Sequence, residues 1–323
     1  MNTAFVGIDI AQRAFVAALW FGEGKAALSK DFDNTASGFR RLQNWLHQHL
    51  ACRVTVGLES TNVYWEKLAE HLHRTGHTVY LLNPERVAHY AKAKGLRNKT
   101  DPVDAALIAQ FTAQHRGTPW SPPSVEQKTL RSLTRTRQQL LDHCHRIQNE
   151  RRTADPCARS YLDPVLAELR QQLSKIDDDI EAHLASFPQL QAPARRLATL
   201  PGVGVVTAAV LLAEMPVITP QTDPRTIAAW AGLTPRRVQS GTFQGRTRMC
   251  RKGNAFVRHA LYMPALVALR WNPLIKTYAA HLRERGKTTM AILGAVAHKM
   301  LRILVGMLRS NSDFDPNWVG KKR

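Results

Sequence analysis

Hydrophobic and polar positions change period near residue 120 of this chain, and the change marks a change of architecture. In the first third, short apolar runs alternate with stretches of helical period. Ala4 to Ile10, Ala14 to Trp20 and Lys25 to Asp33, separated by turns at Gln12-Arg13 and Gly22-Glu23-Gly24, predict three adjacent antiparallel strands. Helical spacing then predicts helices over Ala36 to Leu50 and Tyr64 to Thr75, with strands at Val54 to Leu58 and Thr78 to Leu82. A meander followed by strand-helix-strand implies a mixed sheet with helices on its faces, an α/β domain over residues 1–120.

After Pro119-Trp120-Ser121-Pro122-Pro123 the strand pattern stops. Leu162, Leu166, Leu169, Leu173, Ile176, Ile180 and Phe187 recur at steps of three and four, with one position skipped at His183. Leu130, Leu133, Leu140, Cys144 and Ile147 keep the same register, interrupted by Arg137. Asp155-Pro156 divides the two segments, so residues 121–187 read as a helical hairpin or coiled-coil arm, whose expected role is oligomerisation. Residues 188–323 read as mostly helical. The most apolar stretch there, Val203 to Ala213, is closed by Glu214 and Pro216 and reads as a buried helix. No run is expected to reach the roughly 20 residues that span a bilayer. The N-terminus shows neither the basic flank nor the cleavage site of a signal peptide. Cys52, Cys144, Cys157 and Cys250 are too widely spaced for a disulfide framework or a zinc clasp, so a reducing cytoplasm is the expected compartment.

Charge identifies the partner. The chain carries 45 Lys plus Arg against 25 Asp plus Glu, a formal net charge of +20 and a pI near 10.4. Such a surplus attracts polyanions, nucleic acid first and a membrane surface only second. The surplus is concentrated: between Pro224 and Arg283 there is no Asp or Glu, while Arg236, Arg237, Arg246, Arg248, Arg251 and Lys252 all fall in that tract. A segment that cannot neutralise itself is suited to phosphate contact.

Against this background four acids stand out. Asp9 ends one apolar strand, Glu59 ends another, and Asp101 and Asp104 lie three apart at a helix start, where side chains share a face. Each alone has an ordinary explanation as a turn residue, a lysine partner or a helix cap. Together they suggest a carboxylate cluster, which a divalent cation makes tolerable; oxygen-only ligation selects Mg²⁺ or Mn²⁺. Two such ions about 4 Å apart would act on a phosphodiester.

Two further signals lie downstream. Leu200-Pro201-Gly202-Val203-Gly204 reads as a helix-hairpin-helix-like turn, with Gly202 and Gly204 either exposing amides to a phosphate or serving tight packing. Gln239-Ser240-Gly241-Thr242-Phe243-Gln244-Gly245-Arg246 is a small, glycine-punctuated loop in which Ser240 lies between arginines, as a nucleophile attacking phosphorus requires. On loop chemistry alone Thr242 and Ser121 are comparable. His143-Cys144-His145 is set aside as a metal site, because i and i+2 point apart on a helix. Arg258-His259 with Tyr262 or Tyr278 is set aside as a tyrosine-recombinase site, with Tyr262 expected to pack in the core.

Gly7-Ile8-Asp9, Glu59-Ser60-Thr61, Asp101-Pro102-Val103-Asp104, Leu200-Pro201-Gly202-Val203-Gly204, Ala229-Trp230-Ala231-Gly232-Leu233-Thr234-Pro235, Ser240-Gly241, Lys252-Gly253-Asn254 and Leu261-Tyr262-Met263 occur in this order along nearly the whole chain. In this the chain resembles the bacterial insertion-sequence transposases of the one-hundred-and-ten type, the RNA-guided bridge recombinases. The resemblance implies a RuvC-like (RNase H-like) domain whose Asp9, Glu59, Asp101 and Asp104 bind Mg²⁺, and a C-terminal domain in which Ser240 forms a covalent phosphoserine link to DNA. It also implies a noncoding guide RNA pairing with donor and target duplexes, and a dimer of dimers joined by the arm, in which the serine of one protomer completes the acidic site of another. The expected home is the cytoplasm, on the nucleoid when acting, with no membrane partner. Met249-Cys250 departs from the family's more polar pattern. The competing expectations are a RuvC-like Holliday-junction endonuclease using metal-activated water and a noncatalytic nucleic-acid-binding protein. An actin-like ATPase, which also opens on Gly-Ile-Asp, lacks its second phosphate loop here.

Overall fold

A computed structural model describes residues 4–23, 27–50, 53–60, 63–96, 100–115, 117–236, 239–240, 243–244, 248–250 and 252–316. The chain divides into two compact units, residues 1–123 and 124–323.

The first unit is built on β1 (Phe5–Ile10), β2 (Ala14–Trp20), β3 (Leu28–Asp33), α1 (Ala36–His49), β4 (Thr55–Glu59), α2 (Glu66–Arg74), β5 (Thr78–Leu82), α3 (Pro84–Ala93) and α4 (Asp101–Gln114). The predicted meander is present: β1 pairs antiparallel with β2, and β2 with β3. Beyond it β4 and β5 add in parallel, giving the order β3-β2-β1-β4-β5. Strand alternation sorts the two faces of this sheet. Val6, Ile8 and Ile10 of β1 and Val56 and Leu58 of β4 join a core with Leu42 and Leu46 of α1 and Leu68 and Leu72 of α2. Each such leucine, fully buried, contributes about 1.5–3 kcal/mol.

The opposite face is closed by α4, and two glycines allow it to come close. A Cβ on Gly7 would fall on the carbonyl oxygen of Ala105 and the amide nitrogen of Ala109, and one on Gly57 would fall on Oγ1 of Thr112. Glycine inside a strand weakens it unless another backbone needs the space, which is the case here. Gly7→Val is therefore expected to cost about 3 kcal/mol or more, because rigid helix backbone must move. A urea denaturation midpoint close to wild type would show that α4 does not sit on this glycine.

His77, only 6% exposed, staples the other side. Its Nδ1 accepts the Val54 amide at 3.2 Å and its Nε2–H donates to Oε1 of Gln43 at 3.0 Å. Burial holds its pKa below the ordinary value, with His47, His71 and Arg53 adding to the shift. A folded-state pKa below the unfolded one favours the neutral ring, so this stabilisation is complete above the unfolded pKa of about 6.5 and lost as pH falls through the folded one. The denaturation midpoint should fall on acidification through that window, and His77→Gln should flatten this part of the profile. An unchanged slope in the variant would contradict the assignment.

The second unit opens with the predicted hairpin, α5 (Val125–Thr153) and α6 (Pro156–Ser186), turning at Asp155-Pro156. Arg137, which interrupts the apolar register, pairs with Asp177 of the facing helix. There follow α7 (Pro188–Ala198), α8 (Val205–Glu214), α9 (Pro224–Trp230), four two-residue strands β6 (Pro235–Arg236), β7 (Gln239–Ser240), β8 (Phe243–Gln244) and β9 (Arg248–Met249), then α10 (Ala255–Ala260), α11 (Tyr262–Trp271), α12 (Pro273–Glu284) and α13 (Thr289–Ser310). One expectation fails in α13, which spans 22 residues and is long and apolar enough to cross a membrane. Its apolar residues Ile292, Val296, Met300, Leu304 and Val305 are instead buried in the core of this unit. Arg302 and His298 lie outside that buried stripe, so the helix is amphipathic, and its polar residues break the apolar run in the sequence.

Candidate functional site

The acids are placed by the sheet. Ile8 of β1 lies opposite Leu58 of the parallel neighbour β4, so the next residues, Asp9 and Glu59, follow side by side. Both belong to the same strand faces as Gly7 and Gly57, under α4. Asp101 and Asp104 occupy the first turn of α4, after the N-cap Thr100. Asp104 directly precedes Ala105, the residue seated on Gly7 two positions from Asp9. The N-terminal end of a helix carries partial positive charge, a favourable place for carboxylates. Asp9, Glu59 and Asp104 are half-buried and Asp101 is exposed. Among the described residues, no three His, Cys, Asp or Glu side chains converge closely enough to hold a metal ion. The donor set is all oxygen and so fits a hard divalent cation by its chemistry, while only its backbone frame is assembled.

Asn34, not anticipated as a site residue, supports this frame. Its Nδ2 donates to the carbonyl of Ala11 at 3.1 Å and to that of Tyr64 at 3.2 Å. One amide thus ties the turn that follows Asp9 to the segment that follows Glu59. The available signal was its position between a strand and the Thr35 helix cap, where Asn commonly bonds backbone. Beside Glu59, the amide and Oγ of Ser60 both donate to the Leu82 carbonyl, at 3.2 and 3.1 Å.

In the second unit Ser240 is exposed at the turn end of the β7/β8 pair, opposite Phe243. The root of this hairpin is tightly built. Arg236 pairs with Arg248 across β6 and β9, and the Cys250 amide donates to the Thr234 carbonyl at 2.8 Å. Gly232 at φ +71° and Gly253 at φ +144° bring the two legs together: a Cβ on Gly253 would fall on the Trp230 carbonyl, and one on Gly232 would lie 2.7 Å from the carbonyls of Cys250 and Lys252. Met249 packs toward Gly294 of α13, where an added Cβ would meet its Cε at 2.5 Å. The apolar departure at Met249-Cys250 is thus an anchor for the hairpin.

Of the basic residues expected to touch nucleic acid, Arg236 and Lys252 are exposed and Arg248 is placed by its backbone. Arg237, Arg246 and Arg251 lie outside the described residues, as do Thr61 and Gly241 of the motifs. Gly202, at φ +100°, lies where a Cβ would come 2.8 Å from the Pro264 carbonyl, so packing against α11 requires it. A Cβ on Gly204 would meet nothing; this residue caps α8 without a side-chain bond. Tyr262 is 46% exposed, which overturns its expected core placement. It opens α11, directly after the Leu261 junction with α10. Arg258 donates to the carbonyls of Ala231 and Gly253, each at 2.9 Å, which occupies it structurally. Cys144 is buried and both flanking histidines are exposed, consistent with a helical core position.

Two family models match the chain. One for DEDD transposases of the IS110 type, described as a transposase, covers residues 6–154, and one described as transposase IS116/IS110/IS902 family covers residues 194–280. The chain is 31% identical over 322 residues to the pilin gene-inverting protein of Moraxella bovis, covering 98% of each. It is 24% identical to the transposase for insertion sequence element IS1328 of Yersinia enterocolitica, covering 83% of this chain and 85% of the relative. A DEDD-type domain suggests use of a divalent metal, and a transposase implies a DNA substrate. By its matched domains and its full-length relatives, the chain belongs to the IS110 family of insertion-sequence transposases and site-specific recombinases.

Proposed function

We propose that this protein cuts and rejoins donor and target DNA through a covalent phosphoserine link made by Ser240. The carrying observation is an exposed serine at the turn of a hairpin rooted by two backbone-crowded glycines, inside a tract that contains no acid. In the proposed step the Ser240 Oγ–P bond forms as a strand's P–O bond breaks, the serine proton passes through solvent to the oxygen of the released strand end, and attack by the hydroxyl of another strand end breaks the Oγ–P bond and returns a proton to Ser240. Nearby guanidiniums would neutralise charge on the phosphorus.

Asp9, Glu59, Asp101 and Asp104 would hold Mg²⁺ or Mn²⁺, which when bound supplies positive charge at phosphodiester oxygens. The sheet order, with an antiparallel meander extended by two parallel strands, supports a RuvC-like reading of the first unit. The paired apolar helices α5 and α6 support an oligomerising arm, in a dimer of dimers. A noncoding guide RNA rests on the family resemblance and the chain's charge. Inversion of a DNA segment, the activity named for the Moraxella relative, also requires cutting and rejoining at two sites.

The test is to denature the full protein on DNA carrying the element ends, digest it, and locate the phosphate-linked residue by mass spectrometry, sequencing copurified RNA in parallel. A nucleotide on Ser240 and an RNA complementary to both DNA partners are expected. A link elsewhere, or none, defeats the serine reading, and an RNA-free active preparation defeats guidance.

A further inference from the structure

The end of α8 carries a buried acid that the chemistry above does not use. The Glu214 side chain is only 2% exposed and receives three charge-assisted bonds. Arg135 of α5 donates to it twice, from Nε at 2.6 Å and from the guanidinium at 3.0 Å, and Asn254 Nδ2 donates at 2.8 Å. Arg135 is itself held over the Phe256 ring, 4.6 Å from its centroid. Arg131, one turn earlier on the same row of α5, donates to the carbonyl of Ala213 at 2.9 Å. The arm helix is thus registered against the last turn of α8.

Asn254 is held in three directions. Its amide donates to the Trp230 carbonyl at 3.1 Å, its Oδ1 accepts from Val257 at 3.0 Å, and its Nδ2 meets Glu214. It directly follows Gly253, the glycine that lets the returning leg of the Ser240 hairpin lie against the outgoing one. A buried ion pair is poor value as pure stabilisation, because apolar groups of the same volume serve as well or better. What it specifies is geometry, through directional bonds that an apolar cluster lacks.

We propose that Glu214 is a positioning residue for the Ser240 hairpin, coupling the register of the α5 arm to the hairpin root through Asn254. Its catalytic consequence rests on Ser240 being the nucleophile; the coupling itself does not. Arm and hairpin then move as one body, so a protomer engaged through its arm presents its serine in a defined place.

The test uses the full chain. Asn254→Asp sets carboxylate against carboxylate while keeping the Val257 cap. Adding Glu214→Gln restores the bond in reverse, since the new amide donates to Asp at 254 and its oxygen still accepts from Arg135 Nε, only the Nη2 bond being given up. In Asn254→Asp, hydrogen exchange across residues 232–254 is expected to rise and the rate of covalent adduct formation to fall roughly 10²-fold, the penalty of a small misplacement. DNA affinity is expected to hold, and the double variant to recover both readouts. Unchanged exchange and adduct rate in Asn254→Asp, or no recovery in the double variant, overturns the proposal. Should Asn254→Asp fail to fold, Arg135→Met with Glu214→Leu, an apolar pair expected to remain folded, must show the same loosened hairpin and slowed adduct; wild-type behaviour there also overturns it. If Ser240→Ala still forms the adduct, the nucleophile assignment has failed, while the exchange measurement still decides the coupling.

Discussion

Ser240→Ala is expected to abolish the covalent protein–DNA species and strand joining together, a loss of roughly 10⁴-fold or more, as for other activated serine nucleophiles. The substitution removes one exposed oxygen and leaves the hairpin backbone intact, because Ser240 and Phe243 are paired through main chain. Stability should change by less than about 0.5 kcal/mol, the usual range for an exposed site. DNA binding should also survive, since the basic tract is untouched. Gel analysis of denatured complexes and a donor–target joining assay read the two activities separately. A variant that forms no adduct yet still nicks branched DNA in Mg²⁺ would instead identify a junction endonuclease using metal-activated water. The two readings share the same four acids and differ only at this oxygen.

Much of the first unit could be read from its periodicity. The β1 to β5 strands lie within a few residues of their apolar runs, and their pairing follows the expected meander and parallel extension. What periodicity does not carry is which helix covers which face. Gly7 and Gly57 interrupt two strands, and their meaning appears only when α4 is seen filling the space of their missing side chains. The arm shows a similar limit. Its apolar repeat skips His183 and resumes at Phe187, whereas the buried residue is Leu184 and His183 bonds the Glu126 carbonyl at 2.8 Å. A polar contact had displaced the register by one residue.

The second unit was less legible because its decisive contacts join distant segments. Arg135, Glu214 and Asn254 look unrelated in sequence, with Glu214 marked only as the acid that closes an apolar helix. Asn34 joins loops beyond two different strands; its place before a helix cap signals a backbone bond but not which loops it joins. The junction between α10 and α11, beside the exposed Tyr262, falls inside what reads as one apolar segment.

Asp9→Asn and Glu59→Gln are each expected to lower recombination by at least about 10²-fold, more than the 10–100-fold typical of groups that only orient a metal ligand. DNA binding should be retained. The two residues stand in register on adjacent strands, so each substitution removes one negative charge at nearly constant shape. That relieves repulsion between carboxylates, and the metal-free variants should melt no lower than wild type. The decisive readout is linkage: Mg²⁺ or Mn²⁺ should raise the melting temperature of the wild type by binding the folded state, and this rise should vanish in both variants. Asp104→Asn should behave like them, since Asp104 adjoins the α4 residue seated on Gly7. Asp101→Asn, one turn nearer the helix end and exposed, should lose less. An unaltered metal-induced shift in Asp9→Asn and Glu59→Gln would remove the cation from this frame, and with it the reason for two acids to stand together in so basic a chain.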